Sequence, residues 1–200
     1  MSTTQSRREQ YSQATKAALL DAATRRFAAH GFAKTSLEDV AADIHASRGA
    51  VYHHYPSKAA LFEAVVERLE AETMGRIAEQ TSPAADAWEA SMVALDVFLD
   101  RCCDPVYGRV VWIEAPLALG WRRWNDLQVK YGHGVVANLF EGLIAAGRLK
   151  PMPVEPMANL VFHLLCGAGQ ALAESSEPER PRVLAEYKQA INLLLDSLVD

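Results

Sequence analysis

Residues 35–58 read TSLEDVAADIHASRGAVYHHYPSK, and this stretch decides the fold. Thr35 stands three residues before Glu38, the spacing of a capping box: the hydroxyl meets the Glu38 amide and the Glu38 side chain reaches back. Leu37, Val40 and Ala41 follow at i, i+3 and i+4, the inner face of a helix about two turns long. Ile44-His45-Ala46 forms the turn. Ser47 is a second helix cap, set before Arg48-Gly49-Ala50-Val51-Tyr52-His53-His54-Tyr55. Val51 and Tyr55, four apart, face inward and leave Arg48, Ala50, Tyr52, His53 and His54 largely outward. Gly49 costs about 1 kcal/mol against alanine inside a helix, a cost that is useful where backbone must approach another surface closely. Small, basic and aromatic side chains on such a second helix suit phosphates and base edges in the DNA major groove.

Working outward, the segment from about Ala17 to Val66 resembles the DNA-binding domain of TetR-family transcriptional regulators. The resemblance is carried by Phe27-Ala28-Ala29-His30-Gly31-Phe32, Thr35-Ser36-Leu37, Val40-Ala41, Ser47-Arg48-Gly49-Ala50-Val51-Tyr52, His54-Tyr55 and Lys58-Ala59-Ala60-Leu61-Phe62. Two positions depart from the family's pattern: His45 stands where Gly is common, and Ala46 where Val is common. The turn needs a left-handed backbone there, which His tolerates less well than Gly, and Ala46 fills the small core less completely. Both imply a somewhat less stable head. The resemblance and the residue chemistry together assign Thr35, Ser36, Ser47, Tyr52, His54 and Lys58 to phosphates, and Arg48, Gly49, Ala50 and His53 to base edges. Arg48 suits a guanine and Ala50 a thymine methyl.

The flanks fit. From about Gln10 to His30, Leu19, Leu20, Ala23 and Phe27 mark an apolar face; Gly31 is a helix-ending residue, with Phe32 packing back on Phe27. Pro56-Ser57 makes a corner, and a long helix begins near Lys58 with Leu61, Phe62, Val65, Val66 and Leu69 on one face. Residues 1–9 are a polar stretch with Arg7 and Arg8, either a tail or an arm touching phosphates. Residues 1–60 hold 8 Lys and Arg against 5 Asp and Glu, whereas the remainder holds 12 against 20, so local positive charge survives in a chain of net charge −5. Phosphate contacts act within about a Debye length, and a chain acidic overall can still bind DNA. The expected domains are therefore 10–57, reading DNA, and 58–200.

The larger part reads as helices throughout, which makes the fold all-α with about nine helices. Ser82-Pro83 starts a helix through Trp88, Met92, Leu95, Phe98 and Leu99 to Asp104-Pro105. The next runs from about Val106 to Leu119, broken or kinked at Pro116, and another from Trp121 or Arg122 to Ala146, ended by Gly147. Pro151, Pro153 and Pro156 mark a loop before a helix carrying Met157, Leu160, Val161, Leu164, Leu165 and Ala168. After Pro178 and Pro181 the last helix carries Val183, Leu184, Tyr187, Ile191, Leu194, Leu195 and Leu198. Gly167, Ala168 and Gly169 permit close approach. The resemblance implies a homodimer through the last two helices and hence an operator in double-stranded DNA that is an approximate inverted repeat.

A proline-broken helix beside aromatics is a wall for a mostly apolar pocket. Its expected lining is Phe98, Trp112, Leu117, Trp121, Tyr131, Phe162 and His163, with Glu114 a polar anchor or a solvated position. Core filling is the competing reading for each. Adjacent Cys102 and Cys103, with Cys166 far off, argue against a disulfide scaffold; buried thiols in a reducing cytosol are expected, with a redox sensor at Cys102 or Cys103 as the alternative. No apolar run approaches a membrane span and the N-terminus lacks a signal peptide, which predicts a cytoplasmic protein. Gly167-Ala168-Gly169 lies inside a helical pattern and is no nucleotide loop. No Glu-x-x-His pair occurs, and the vicinal His53-His54 point to different helix faces, so neither a metal site nor a cofactor is expected. The expectation is a non-enzymatic regulator, a homodimeric repressor released by a small, mostly apolar effector. The alternatives are thiol-redox control, or a ligand- or protein-binding module that has lost promoter regulation.

Overall fold

The computed structural model describes residues 7–198, the side chains of residues 7–10 excepted. The arm or tail expected at residues 1–9 lies outside the described residues, apart from the backbone of 7–9, which already belongs to the first helix. Among the described residues there are nine helical rods and no strand. Two compact units divide between Glu67 and Arg68, inside helix α4 (Lys58–Thr81) rather than at the Pro56-Ser57 corner. The reason is packing: Leu61, Phe62, Val65 and Val66 on the first turns of α4 are fully buried, and Phe62 belongs to an aromatic cluster of the first unit.

In the first unit α1 (Arg7–His30) buries Leu19, Ala22, Ala23 and Phe27 completely. Each large apolar side chain so buried contributes about 1.5–3 kcal/mol. The helix stops at Gly31, whose φ of 78° no side-chain-bearing residue adopts cheaply, and whose N–H donates to the Phe27 carbonyl at 3.0 Å. Phe32 then folds back, its ring centroid 6.1 Å from Phe27 and 5.1 Å from Phe62. Helices α2 (Leu37–Asp43) and α3 (Arg48–His54) follow, joined by a turn in which His45 takes a left-handed φ of 53°. Arg26 ties α1 to α2 through two bonds to the Asp43 carboxylate, at 2.6 and 2.7 Å.

The second unit contains the rest of α4, then α5 (Ala87–Cys102), capped by Asp86 and not begun at Ser82-Pro83. Ser82 instead closes α4, its N–H donating to Ala78, and Pro83 falls in the connecting turn. Residues 105–119 form one rod: α6 (Pro105–Tyr107), a π-helical stretch (Gly108–Glu114) and α7 (Ala115–Leu119). Pro116 does not break it. In the wider π register the carbonyl awaiting the missing Pro116 N–H is that of Val111, and the buried Trp124 indole donates to it at 2.9 Å. Gly120, with φ 80°, turns the chain into a second composite rod: α8 (Trp121–Gln128), a π-helical stretch (Val129–His133) and α9 (Gly134–Ala145). Helix α10 (Val154–Glu174) takes Pro156 into its first turn, where the absent N–H has no intrahelical acceptor to lose. Helix α11 (Arg180–Asp196) is the last.

Candidate functional site

The DNA-facing candidates gather on α3. Ser47 caps it, its hydroxyl accepting the Ala50 N–H at 3.2 Å, and Val51 and Tyr55 anchor it inward as expected. Arg48, Gly49, Tyr52 and His53 are exposed, and Ala50 and His54 are half-buried beside them. A Cβ on Gly49 would meet only the Ser47 hydroxyl oxygen, at 4.0 Å, so its backbone is open to close approach. Burial first, then the neighbouring His53 and Lys16, push the His54 imidazole below its usual range.

Three assignments change. Thr35 is 2% exposed and its hydroxyl donates to the Gly31 carbonyl at 3.0 Å, so its side chain is not available to a phosphate. The capping box sits one residue later: Ser36 accepts the Asp39 N–H at 3.1 Å, and the Asp39 carboxylate accepts from the Ser36 N–H at 3.0 Å and from its hydroxyl at 2.7 Å. The Ser36 proton is thus already donated within the box. Lys58 reaches back to the Phe32 carbonyl, at 2.8 Å, with its ammonium 4.3 Å from the centre of the Phe32 ring. It closes the end of α1. Sequence reasoning also misses a partner of Arg48: the Glu38 carboxylate lies 3.2 Å from Arg48 Nε, and the Tyr52 hydroxyl donates to the same oxygen at 3.4 Å. Glu38 reads as a cap in the sequence, and no local spacing discloses a contact made across the turn.

Within the second unit lies a cavity of about 110 Å³, walled by α4, α5, α8, both π-helical stretches, α9, α10 and α11. Of the expected lining, Phe98, Trp112 and Phe162 are present. Leu117 and Trp121 are instead 81% and 64% exposed: Leu117 stands on the face of α7 opposite the buried Ala115, and Trp121 follows the Gly120 turn. His163 is exposed outside the lining, its ring edge-on to Phe162 at 5.1 Å between centroids, and Tyr131 is not among the lining residues. Glu114 is no anchor: it lies outside the lining, 3.6 Å from the Arg109 guanidinium. Gly169 allows the wall to form, since a Cβ there would stand 2.7 Å from the Trp112 ring.

The polar end of this apolar cavity is Glu70 on α4, 3% exposed. Its carboxylate accepts from the Tyr107 hydroxyl at 3.1 Å and from the Gln128 amide at 2.7 Å. Burial pushes its pKa up to about 7, opposed by those two bonds and by the charge of Arg101. Burial shifts the thiols in the same direction: it drives Cys102 well up, raises Cys103, and lifts Cys166 to about 12. Oxidation proceeds through the thiolate, which burial disfavours at the enclosed Cys102 and also at the half-buried Cys103. No described helix is long and apolar enough to cross a membrane.

Comparison with known proteins meets both units. Residues 19–65 match the family described as bacterial regulatory proteins, tetR family, and residues 88–198 match the tetracyclin repressor-like C-terminal domain. A TetR-family transcriptional regulator from Pectobacterium atrosepticum superposes with a TM-score of 0.83 at 30% identity, covering 98% of both chains. A TetR transcriptional regulator from Chloroflexus aurantiacus shares the fold at 21% identity, with a TM-score of 0.75 over 95% of this chain and 98% of the other. The HTH-type transcriptional regulator TtgR of Pseudomonas putida is 38% identical over 63 residues, 32% of this chain. That match spans 30% of the length of TtgR.

Proposed function

From the premise that the chain belongs to the TetR family of bacterial regulatory proteins, we propose that this DNA-binding transcriptional regulator is a homodimeric repressor released by a small effector. The observation that carries the reading is the outward face of α3, where Arg48, with its side chain 72% exposed, stands beside Gly49, Ala50, Tyr52 and His53. Arg48 and Ala50 read base edges, while Ser47, Tyr52 and His54 hold phosphates and set register. The unit that ends at Glu67 reads DNA, and the unit that begins at Arg68 holds the effector and dimerises. Leu160 and Leu164 on α10 and Leu193 and Leu194 on α11 are 65%, 36%, 64% and 51% exposed, an apolar face suited to a second copy. Gly167 belongs to that face, with open space above it, whereas Ala168 and Gly169 turn inward. A two-fold dimer presents its reading helices about one DNA turn apart. An occupied cavity favours a conformation that misplaces them, by differential affinity for the two states.

The test is selection from a random duplex pool with the full chain at near-physiological salt. An inverted repeat should emerge, and Arg48→Ala should cost about 1–3 kcal/mol on it while relaxing one base position. Leu193→Asp should yield a folded monomer that no longer enriches the repeat. Failure of the folded dimer to enrich any sequence would sink the repressor reading.

A further inference from the structure

We propose that the cavity of the second unit takes a compact aromatic or alicyclic amine, its hydrocarbon body among the aromatic walls and its ammonium against the Glu70 carboxylate. This rests on the reading of the cavity as the effector site and adds the chemical class of the effector.

The argument begins with what surrounds Glu70. Both of its bonds come from neutral donors, the Tyr107 hydroxyl and the Gln128 amide. The charged group nearest in influence is Arg101, and that guanidinium is committed elsewhere: Nε donates to Thr73 at 3.3 Å, and the terminal nitrogens lie 3.3 Å from Asp104 and 3.9 Å from Glu72. The titratable groups around Glu70 are Arg101 and Cys102 from α5, Tyr107 from α6 and Cys166 from α10. The lining contributed by α9 and α11 is wholly apolar. A buried carboxylate with two neutral donors is half-satisfied, since it offers about four lone-pair sites, and a charge removed from water demands an opposite charge. Its pKa, pushed up to about 7, registers the same deficit.

Ligand chemistry follows by elimination. An anionic ligand meets repulsion from Glu70 and finds no cation in the lining. A neutral apolar ligand leaves the carboxylate as it was. An ammonium supplies both the missing charge and donors for the unused lone pairs, while the hydrocarbon body of the ligand meets the apolar lining that includes Phe98 and Trp112. Size sets the rest: a cavity of about 110 Å³ is of the order that holds a single benzene-like ring.

Calorimetry on the full chain with benzylamine, benzyl alcohol and benzoate tests this. At pH 8 benzylamine should bind about tenfold or more tightly than benzyl alcohol, as a charged hydrogen-bonded pair requires, and benzoate should be weaker than both. From pH 8 to 5.5 the benzylamine affinity should fall as Glu70 takes up a proton, while that of benzyl alcohol stays level. Glu70→Gln should bring benzylamine down to benzyl alcohol and leave benzyl alcohol unchanged. Should that variant not fold, the pH profile of the unaltered protein decides alone. Equal binding of benzyl alcohol or benzoate at pH 8, or a flat benzylamine profile, overturns the amine assignment and leaves the cavity as an effector site. Binding of none of the three overturns both.

Discussion

Raising the pH should loosen the unit that encloses the cavity, and Glu70 sets the size of the effect. Its pKa stands at about 7 in the folded chain against an ordinary value of 4.5. The folded state therefore holds this proton more tightly than the unfolded state does. The associated stability is fully present below about pH 4.5 and is lost as pH rises to about 7. At 1.36 kcal/mol per unit, the difference amounts to about 3 kcal/mol. The groups around Glu70 do not confuse the reading. Burial drives Tyr107 and Cys102 well above their usual ranges and Cys166 to about 12, so all three stay neutral through this window.

The assay uses a feature of the sequence. All four tryptophans, Trp88, Trp112, Trp121 and Trp124, lie in the second unit, so indole fluorescence during urea unfolding follows that unit alone. Protein concentration is held fixed, because association would shift the midpoint. Glu70→Gln keeps the shape and removes the titration. Subtracting its stability from that of the native chain cancels every other group, including Asp39 and Asp43 of the first unit. Hydrogen bonds to Ser36 and to Arg26, respectively, hold those two below the usual range, and their contribution is lost in the opposite direction, on acidification. The variant should gain about 3 kcal/mol on the native chain between pH 4.5 and 8. A difference that stays constant across that range would refute the reasoning.

Three further outcomes are expected. Glu38→Gln frees Arg48 and removes a negative charge beside the reading face; binding to random duplex should tighten about threefold at low salt, fading as salt rises, by fluorescence anisotropy. Gly169→Ala drives a methyl to 2.7 Å from the Trp112 ring, so it should destabilise the second unit by about 1–3 kcal/mol in the same fluorescence assay, and a neutral result would mean the wall yields freely. His45→Gly relieves a left-handed φ of 53° and should stabilise the first unit by about 1 kcal/mol, seen as slower hydrogen exchange of α2 and α3 amides.

What is legible in the sequence is what local spacing determines. The Gly31 stop, the left-handed His45, the Ser47 cap and the inward Val51 and Tyr55 each depend on a few adjacent residues, and each stands where the sequence puts it. Errors arise where one local signal has two equivalent carriers. Thr35 and Ser36 are both followed three residues later by an acid, and only tertiary burial of Thr35 hands the cap to Ser36. Pro116 misleads differently: proline reads as a break, whereas a π-helical turn and a distant indole donor absorb it. Leu117 and Trp121 then leave the expected cavity, because their direction depends on helix register and on the Gly120 turn, respectively, and not on their hydrophobicity.

Glu70 is less conspicuous in the sequence than Glu114, for a reason that the sequence itself contains. Glu114 stands out because it interrupts an apolar stretch, yet it has an exposed cation to meet in Arg109. Glu70 sits in the charged run ERLEAET and looks like solvated surface. Counting by fours from Phe62, however, gives Val66 and then Glu70, and the buried Thr73 and Ile77 continue the same stripe. An inner face of α4 that ends at Leu69 stops one residue before the informative position. A carboxylate in register on an apolar stripe must either be neutralised or be paired, and burial among Tyr107 and Gln128 does neither completely. Local rules broken without compensation mark functional positions more reliably than polar residues that merely stand out. By that criterion Glu70, and not Glu114, is the residue to which the proposed effector chemistry is tied.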